Sequence, residues 1–255
     1  MVTNSAYMQL INNLEYLKLK QMVNHLDEVI DFSTKNNLSF VDTLIKLTSH
    51  EIDCKEANMI RSMVKVGAFP HTKELKDFDF NFQPGINKDQ ILDFASLRFL
   101  EAKENIVFLG TSGVGKTHLS TSIGIAAAKR RCSTYFIKCN DLLQQLKRAN
   151  LENRLDSRLK HFSKYKLLII DELGYLPIDK EDSKLFFQLI DMRYEKKSTI
   201  ITTNINFNAW DEIFCDPIIA NAILDRVLHH AHVVSITGNS YRLKYPSVNF
   251  VDSSP

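Results

Sequence analysis

An apolar run that ends in a glycine and leads straight into a glycine-rich loop constrains the fold of this chain more than any other feature. The run is NIVFLG, and Gly110–Thr117 reads GTSGVGKT, which fits G-x-x-x-x-G-K-[ST] in full. The residues after the loop favour a helix. A strand, a glycine loop and a helix N-terminus in this order present backbone N–H groups and partial positive charge to a phosphate. The sequence therefore predicts a phosphate-binding loop.

The side chains of this loop have predicted roles in nucleotide binding. Lys116 is expected to reach the β- and γ-phosphates of ATP, and the Thr117 hydroxyl is expected to coordinate Mg²⁺. No NKxD-type stretch follows the loop, which disfavours guanine specificity. The residues of this region expected to bind the nucleotide are Gly110, Thr111, Ser112, Gly113, Val114, Gly115, Lys116, Thr117 and His118.

Two adjacent acids follow a second apolar run in the stretch KLLIIDELGYLP. A fully apolar run is typical of a buried central strand, whose carboxyl end faces the phosphate loop in a parallel sheet. Asp171 is thus a candidate Mg²⁺ ligand, and Glu172 is a candidate general base that polarises the attacking water. The pair favours hydrolysis of ATP over transfer of its phosphate to another small molecule.

A third apolar run, STIITTN, ends in the polar residues Thr203 and Asn204. Asparagine at a strand end is often only a turn former. Because this run follows the other two motifs in order, Asn204 is a candidate for positioning the water between Glu172 and the γ-phosphate.

Short apolar runs alternate with helical patterns through residues 88–255. Besides the three runs above, TYFIKC and VVSI have the β-branched and aromatic residues of strands. This alternation predicts an α/β fold with a central parallel sheet and helices on both faces.

The first 68 residues have helical patterns and no strand signal. Leu10, Leu14 and Leu17 recur at helical spacing, and Ser39 with Asp42 forms a capping-box-like helix start. We therefore expect an all-helical N-terminal domain at 1–68 that contacts a partner or DNA, a connector at 69–87 and an ATPase domain at 88–255. Phe78, Phe80 and Phe82 of the connector are expected to lie against the ATPase domain.

Composition excludes several classes of protein. The net charge is only +2, so any nucleic-acid surface must be local, and no apolar run reaches the length of a membrane span. The N-terminus has no secretory pattern, so a cytoplasmic protein is expected. No cysteine spacing is that of a metal site, and His229, His230 and His232 have no acidic partner nearby in sequence. A metal site built on these histidines is disfavoured.

The order of the motifs resembles that of the AAA+ ATPases. Within that group, IIDELGYLP, TTN and the later stretch ILDRVLHHAHVVSITGNSYR look like the IstB-like transposition ATPases, relatives of the DnaC-type helicase loaders and DnaA-type initiators. The resemblance runs along nearly the whole chain. It implies an AAA+ P-loop ATPase that acts in transposition of an insertion sequence, with a transposase as its partner.

The resemblance also implies roles for two arginines. Arg226 matches the arginine finger that acts catalytically on ATP in the neighbouring subunit, and Arg242 resembles the arginine that senses the γ-phosphate. A guanidinium offers a permanently charged fork for phosphate oxygens. A finger that acts in trans implies a homo-oligomer with ATP between subunits. Because the chain ends at Pro255, we expect no sizeable helical lid after the sheet.

A basic stretch at residues 140–166 is the candidate surface for DNA. Positive side chains neutralise phosphates without reading sequence, although a solvated amphipathic helix would have the same pattern. Relatives of the initiator type have DNA-facing helices in this region, and the lack of interleaved aromatic residues favours duplex over single-stranded DNA. The candidate DNA contacts are Lys147, Arg148, Arg154, Arg158 and Lys160.

Several functions stay open on the sequence. The first is a helper that oligomerises on duplex DNA and delivers this target to, or activates, a transposase. A helicase loader would instead bind a replicative helicase through residues 1–68 and prefer single strands. A nucleotide-gated DNA-coating scaffold would need only slow hydrolysis. A small-molecule kinase is disfavoured, because no acceptor pocket is evident.

Overall fold

The computed structural model of the protein describes residues 4–244. The chain divides into two compact units, Met1–Ser62 and Met63–Pro255. Within the described residues, no helix is long and apolar enough to cross a membrane.

The N-terminal unit consists of helices, as the sequence predicts. They are α1 (Asn4–Tyr16), α2 (Lys20–Lys35) and α3 (Phe40–Val66), whose last turn passes the unit boundary. The Ser39 hydroxyl accepts a hydrogen bond from the Asp42 N–H at 3.1 Å, so the predicted start of α3 is confirmed. Leu17, however, lies after the end of α1 and is exposed. The buried core of the unit is Leu14, Met22, Leu26, Val29 and Leu47.

The larger unit is built on a five-stranded sheet in which every strand pair is parallel, with the order β2-β3-β4-β1-β5. The predicted α/β architecture is therefore confirmed. The third strand continues two residues past its predicted end at Asp171. The strands are β1 (Asn105–Gly110), β2 (Thr134–Lys138), β3 (Leu167–Leu173), β4 (Ser198–Thr203) and β5 (Ala231–Ile236).

Helices cover both faces of this sheet. Neighbouring side chains of a strand point to opposite faces, so Ile169 belongs to one buried cluster and Ile170 to the other. The helices are α4 (Lys88–Ser96), α5 (Arg98–Ala102), α6 (Lys116–Lys129), α7 (Cys139–Leu151), α8 (Leu155–Ser163), α9 (Lys180–Arg193), α10 (Trp210–Phe214), α11 (Pro217–Leu228) and α12 (Tyr241–Lys244).

The segment at 69–87 is packed against α6. The Ser122 hydroxyl donates to the Lys73 carbonyl at 3.2 Å, and the Lys129 ammonium pairs with Glu74 at 2.7 Å. Phe78 and Phe80 pack against the buried cluster on the α6 side of the sheet, as the sequence predicts. This packing holds the segment beside the phosphate loop.

A fully buried arginine ties the last turn of α9 to the ends of neighbouring elements. Arg193 is 1% exposed and donates to the Thr199 hydroxyl and to the carbonyls of Phe162 and Tyr165, each at 3.0 Å. Burial lowers the pKa of its guanidinium to about 9. These hydrogen bonds fix where α8 ends and where β4 begins.

We expect Arg193→Ala to destabilise the fold by about 3 kcal/mol, because several buried oxygens lose their donor. Urea unfolding followed by circular dichroism measures this change. Lys196→Ala, at an exposed neighbouring position, is the matched control and should change the free energy of unfolding by less than about 0.5 kcal/mol. Equal effects of the two substitutions would contradict this role of Arg193.

Candidate active site

The predicted phosphate loop joins β1 to α6. Gly113 and Gly115 have φ angles of +80° and +103°, in the left-handed region that favours glycine. A Cβ atom at Gly113 would lie 2.1 Å from the Ser240 Oγ, and one at Gly115 would lie 2.6 Å from the Phe78 ring. Both glycines are therefore required by backbone shape and by close neighbours.

Lys116 is the first residue of α6 and points back over the loop. Its Nζ donates to the Gly110 carbonyl at 2.6 Å and to the Thr111 carbonyl at 2.7 Å. Burial lowers the pKa of this ammonium, while the nearby acids Asp171 and Glu172 act in the opposite direction. The two hydrogen bonds hold the Lys116 side chain at the mouth of the loop.

The carboxylate of Asp171 is buried near the end of β3, and the residue is 1% exposed. The Thr117 hydroxyl lies 3.1 Å from each of its oxygens, and the Thr202 hydroxyl donates to Oδ1 at 2.6 Å. Burial raises the pKa of Asp171, and the two hydroxyl hydrogen bonds oppose that rise. A carboxylate beside a hydroxyl at a phosphate loop is an oxygen set that suits Mg²⁺.

Glu172, the second-last residue of β3, has an unusual backbone at an irregularity in the strand. Its φ angle is +61°, which is uncommon for a residue other than glycine. Its N–H donates to the Thr202 hydroxyl at 3.0 Å, and its carboxylate pairs with the Lys138 ammonium at 2.9 Å. The hydrogen bond to Glu172 raises the pKa of Lys138. Thr202 therefore connects the backbone of one acid to the side chain of the other.

Thr202 and Lys138 are site residues that the sequence analysis missed. Thr202 lies inside the TTN motif, one strand away from the acids that it contacts. Lys138 is the last residue of β2 and is the register partner of Asp171. Their positions at strand ends are the only sequence signal, and that signal becomes useful once the strand order is known.

One cavity of about 310 Å³ contains most of the predicted nucleotide contacts. Its wall includes Ser112–His118 of the loop and helix, Glu172, Asn204 and Arg242. Thr203, next to Asn204, is buried and donates to the Leu173 carbonyl at 2.9 Å, which fixes the end of β4. The motifs at the ends of β3 and β4 and the phosphate loop therefore meet at one place.

The 69–87 segment and α12 close another side of this cavity. The rings of Phe82 and Tyr241 meet edge to face at 5.1 Å, and the Tyr241 N–H donates to the Gly113 carbonyl at 3.0 Å. Gln83 is buried, and its Nε2 donates to the Asn239 carbonyl at 2.9 Å. Aromatic faces beside a phosphate loop suit the base of a nucleotide.

His118 lines the cavity but makes its specific contacts with the 69–87 segment. Its Nε2 lies 3.2 Å from the Glu74 carbonyl, and its ring packs against His71 and Phe78. Burial lowers the pKa of this histidine. His118 therefore anchors that segment to α6.

Arg226 lies away from this cavity, on α11. Its Nε donates to Asp191 at 2.8 Å, and its guanidinium packs over the ring of Phe187. The structure therefore does not bring Arg226 together with the other predicted catalytic residues.

The candidate DNA contacts lie on α7, on α8 and in the turn between them, and each has a partner. Lys147 pairs with Asp179 at 2.7 Å, Lys160 with Asp156 at 2.7 Å, and Arg148 and Arg154 with Glu152. Arg158 donates to Gln145 and packs over Phe162. Four of these five cations therefore have an acidic partner, and most of these side chains are exposed.

The three histidines after α11 do not form one cluster. His232, on β5, pairs with Glu104 at 2.8 Å. His229 and His230 lie at the surface, 3.8 Å and 3.7 Å from the carboxylate of Glu195. Glu195 is thus an acidic neighbour of His229 and His230 that is distant from them in sequence, so the sequence analysis did not identify it.

We expect Thr202→Val to raise the pKa of Asp171 further, because one of the hydrogen bonds that lowers it is lost. A carbon-13 NMR titration of the aspartate carboxyl groups measures this shift. Thr203→Val removes a buried hydroxyl of the same strand that bonds to a carbonyl instead, and it should leave the Asp171 titration unchanged. Identical titration curves for both variants would contradict the bridging role of Thr202.

Comparison with known proteins adds close relatives. The model of the family described as IstB-like ATP binding protein matches residues 12–248. A protein of insertion sequence IS232 from Bacillus thuringiensis subsp. berliner, named as an ATP-binding protein, is 76% identical over 94% of this chain and 96% of its own length. A counterpart from IS5376 of Geobacillus stearothermophilus is 40% identical over 89% of this chain and 91% of its own length.

Solved structures share the fold. The DnaC helicase loader is 25% identical with a TM-score of 0.51, covering 58% of this chain and 86% of that one. The replication initiator DnaA bound to AMPPCP and single-stranded DNA is 19% identical with a TM-score of 0.56, covering 69% of this chain and 54% of that one. At this identity the likeness concerns the fold alone. With its AAA+ fold, its phosphate loop and these relatives, the chain belongs to the family of IstB-like ATP-binding proteins.

Proposed function

We propose that this protein is a Mg²⁺-dependent ATPase that assembles on duplex DNA and delivers that DNA to, or activates, the transposase of an insertion sequence. The observation that carries the proposal is the convergence of Lys116, Thr117 and Glu172 on one cavity at a complete phosphate loop, with the buried Asp171 bonded to Thr117 behind the cavity wall. Insertion-sequence relatives at 76% and 40% identity support the transposition context.

The chemistry divides among the residues of the cavity. Gly110–Thr117 would hold the phosphates through backbone N–H groups, and Lys116 would bind the β- and γ-phosphates. Thr117 and Asp171 would hold Mg²⁺, which neutralises charge that develops on the phosphate oxygens. Glu172 would orient and deprotonate the attacking water, with Asn204 fixing the position of that water. Arg242, on the cavity wall, would contact the γ-phosphate.

Lys138 bears on the role of Glu172. Its ammonium neutralises the carboxylate that must act as the base, and the side chains of Lys138 and Glu172 are 51% and 36% exposed. An exposed pair of this kind contributes little to stability and is easily broken. Glu172 can therefore exchange Lys138 for a water molecule once nucleotide is bound.

ATP between subunits follows from the position of Arg226. This residue lies outside the wall of the nucleotide cavity of its own chain, so its guanidinium would reach ATP bound by a second copy. Such a finger raises turnover by several orders of magnitude in related phosphoryl-transfer enzymes. Assembly would then be required for hydrolysis.

DNA contact through α7 and α8 is compatible with the observed ion pairs. The side chains of Arg148, Arg154 and Lys160 are 81%, 69% and 67% exposed. Exposed pairs are worth about 0–1 kcal/mol each, so DNA phosphates can replace the carboxylates at small cost. Backbone phosphates suit this arrangement because they require charge without base recognition.

A helicase loader is the second candidate function. The likeness to the DnaC helicase loader favours it. The sequence relatives named from insertion sequences cover nearly the whole chain at higher identity and favour the transposition role.

We expect large assemblies only when wild-type protein, ATP and duplex DNA are present together, as measured by light scattering and negative-stain electron microscopy. Lys116→Ala should not assemble, because the phosphates lose their charged ligand. Glu172→Gln should assemble and persist, because it binds ATP without hydrolysing it. Assembly on single strands alone, or assembly that is independent of nucleotide, would contradict the proposal and favour the loader.

We expect the double variant Arg154→Ala/Lys160→Ala to weaken duplex binding and to reduce the slope of log affinity against log salt by about 2. Fluorescence anisotropy at several salt concentrations measures both effects. Lys76→Ala/Lys103→Ala removes the same charge from exposed positions outside α7 and α8. An equal loss of slope in this control would contradict the proposed DNA surface.

A further inference from the structure

The guanidinium of Arg226 is held by side chains of α9. Its Nε donates to the Asp191 carboxylate at 2.8 Å, and its Nη1 donates to the Ala222 carbonyl one turn earlier on α11 at 3.1 Å. Its central carbon lies 4.7 Å from the Phe187 ring centre and 5.9 Å from that of Tyr194. Two side chains of α9 and Tyr194, which directly follows that helix, thus fix the direction of the guanidinium.

These contacts leave the Nη2 group of the Arg226 guanidinium available to bind a ligand. A guanidinium presents several N–H donors in one plane. Within residues 4–244, the hydrogen bonds of Arg226 involve Nε and Nη1, so both protons of Nη2 remain for an incoming ligand. The Arg226 side chain is 27% exposed, so it is accessible from the surface.

The pair with Asp191 contributes more to geometry than to stability. Asp191 is 53% exposed, and an ion pair at such an exposed site adds little to the free energy of folding. A long arginine side chain has many rotamers. Contacts that select one rotamer before a ligand binds reduce the loss of conformational entropy on binding. Misplacement of a catalytic group by about 1 Å costs about a hundredfold in rate.

We infer that Asp191 is a positioning residue for the reaction. Its carboxylate holds Arg226 so that the free edge of the guanidinium meets the γ-phosphate of ATP bound by a second copy of this chain. The inference rests on the proposed function, because it needs Arg226 to act between subunits. Asp191 touches neither ATP nor the attacking water and acts only through Arg226.

The test uses mixed assemblies of full-length chains with ATP and duplex DNA. A Glu172→Gln chain keeps its finger but cannot hydrolyse, and an Arg226→Ala chain keeps its hydrolytic residues but has no finger. Each alone should be nearly inactive, and the equal mixture should regain ATPase activity at interfaces where the first chain supplies Arg226 to the second. This regained activity is the reference for every further substitution.

Asp191→Ala in the Glu172→Gln chain should lower the regained kcat about tenfold and leave the KM for ATP unchanged. The same substitution in the Arg226→Ala chain should have no effect, because that chain has no finger to position. Asp191→Glu in the first chain should restore part of the activity, since a carboxylate is again present. Asp225→Ala is the matched control, because it removes an exposed acid next to Arg226 that makes none of these contacts.

Each other outcome overturns the inference in a recognisable way. If Asp191→Ala lowers the regained kcat equally in either chain, Asp191 has a structural role. If the substitution lowers kcat in neither chain, Asp191 has no role in the reaction. A gain in activity would mean that Asp191 restrains the finger instead. If the mixture of Glu172→Gln and Arg226→Ala chains regains no activity, Arg226 does not act in trans. That result contradicts the proposed placement of ATP between subunits, independently of any substitution at Asp191.

Discussion

The buried carboxylate of Asp171 is the group on which the rest of the site depends. Burial in the sheet disfavours its charge, and the hydroxyls of Thr117 and Thr202 supply the hydrogen bonds that oppose this effect. Because Thr117 belongs to α6 and Thr202 to β4, one carboxylate joins the phosphate loop to two neighbouring strands. Through the same hydroxyl of Thr202 it also fixes the backbone of Glu172.

The parallel sheet makes this convergence possible. The carboxyl ends of parallel strands lie at one edge, and β4 stands between β1 and β3 in the observed order. The phosphate loop, Glu172 and Asn204 therefore line one cavity, and Asp171 lies behind it against Thr117, although long stretches of chain separate these residues. Arg226 lies outside that cavity, held by α9, so the fold divides the predicted catalytic residues between two surfaces.

The residues of the loop and of the strand ends could be predicted from sequence, whereas their partners on other elements could not, because those contacts depend on strand order and helix packing. Gly113 and Gly115 are predictable because the loop geometry admits only glycine, and Asp171 because it ends an apolar run. The partners Thr202 and Lys138 depend on strand order, which the motifs do not contain. Asp191, the partner of Arg226, is likewise brought near only by the packing of α9 against α11. Roles of individual residues and the domain boundaries stay predictions.

The central claim is that Thr117 and Asp171 hold a divalent cation beside the phosphates of ATP. Electron paramagnetic resonance of Mn²⁺, used as a probe for Mg²⁺, tests it in the presence of ATP. We expect wild-type protein to bind Mn²⁺ with magnetic coupling to phosphorus, and Asp171→Asn to weaken that binding about tenfold or more. Asp211→Asn, at an exposed position on α10, should bind as wild type does. Undiminished Mn²⁺ binding by Asp171→Asn would contradict the claim.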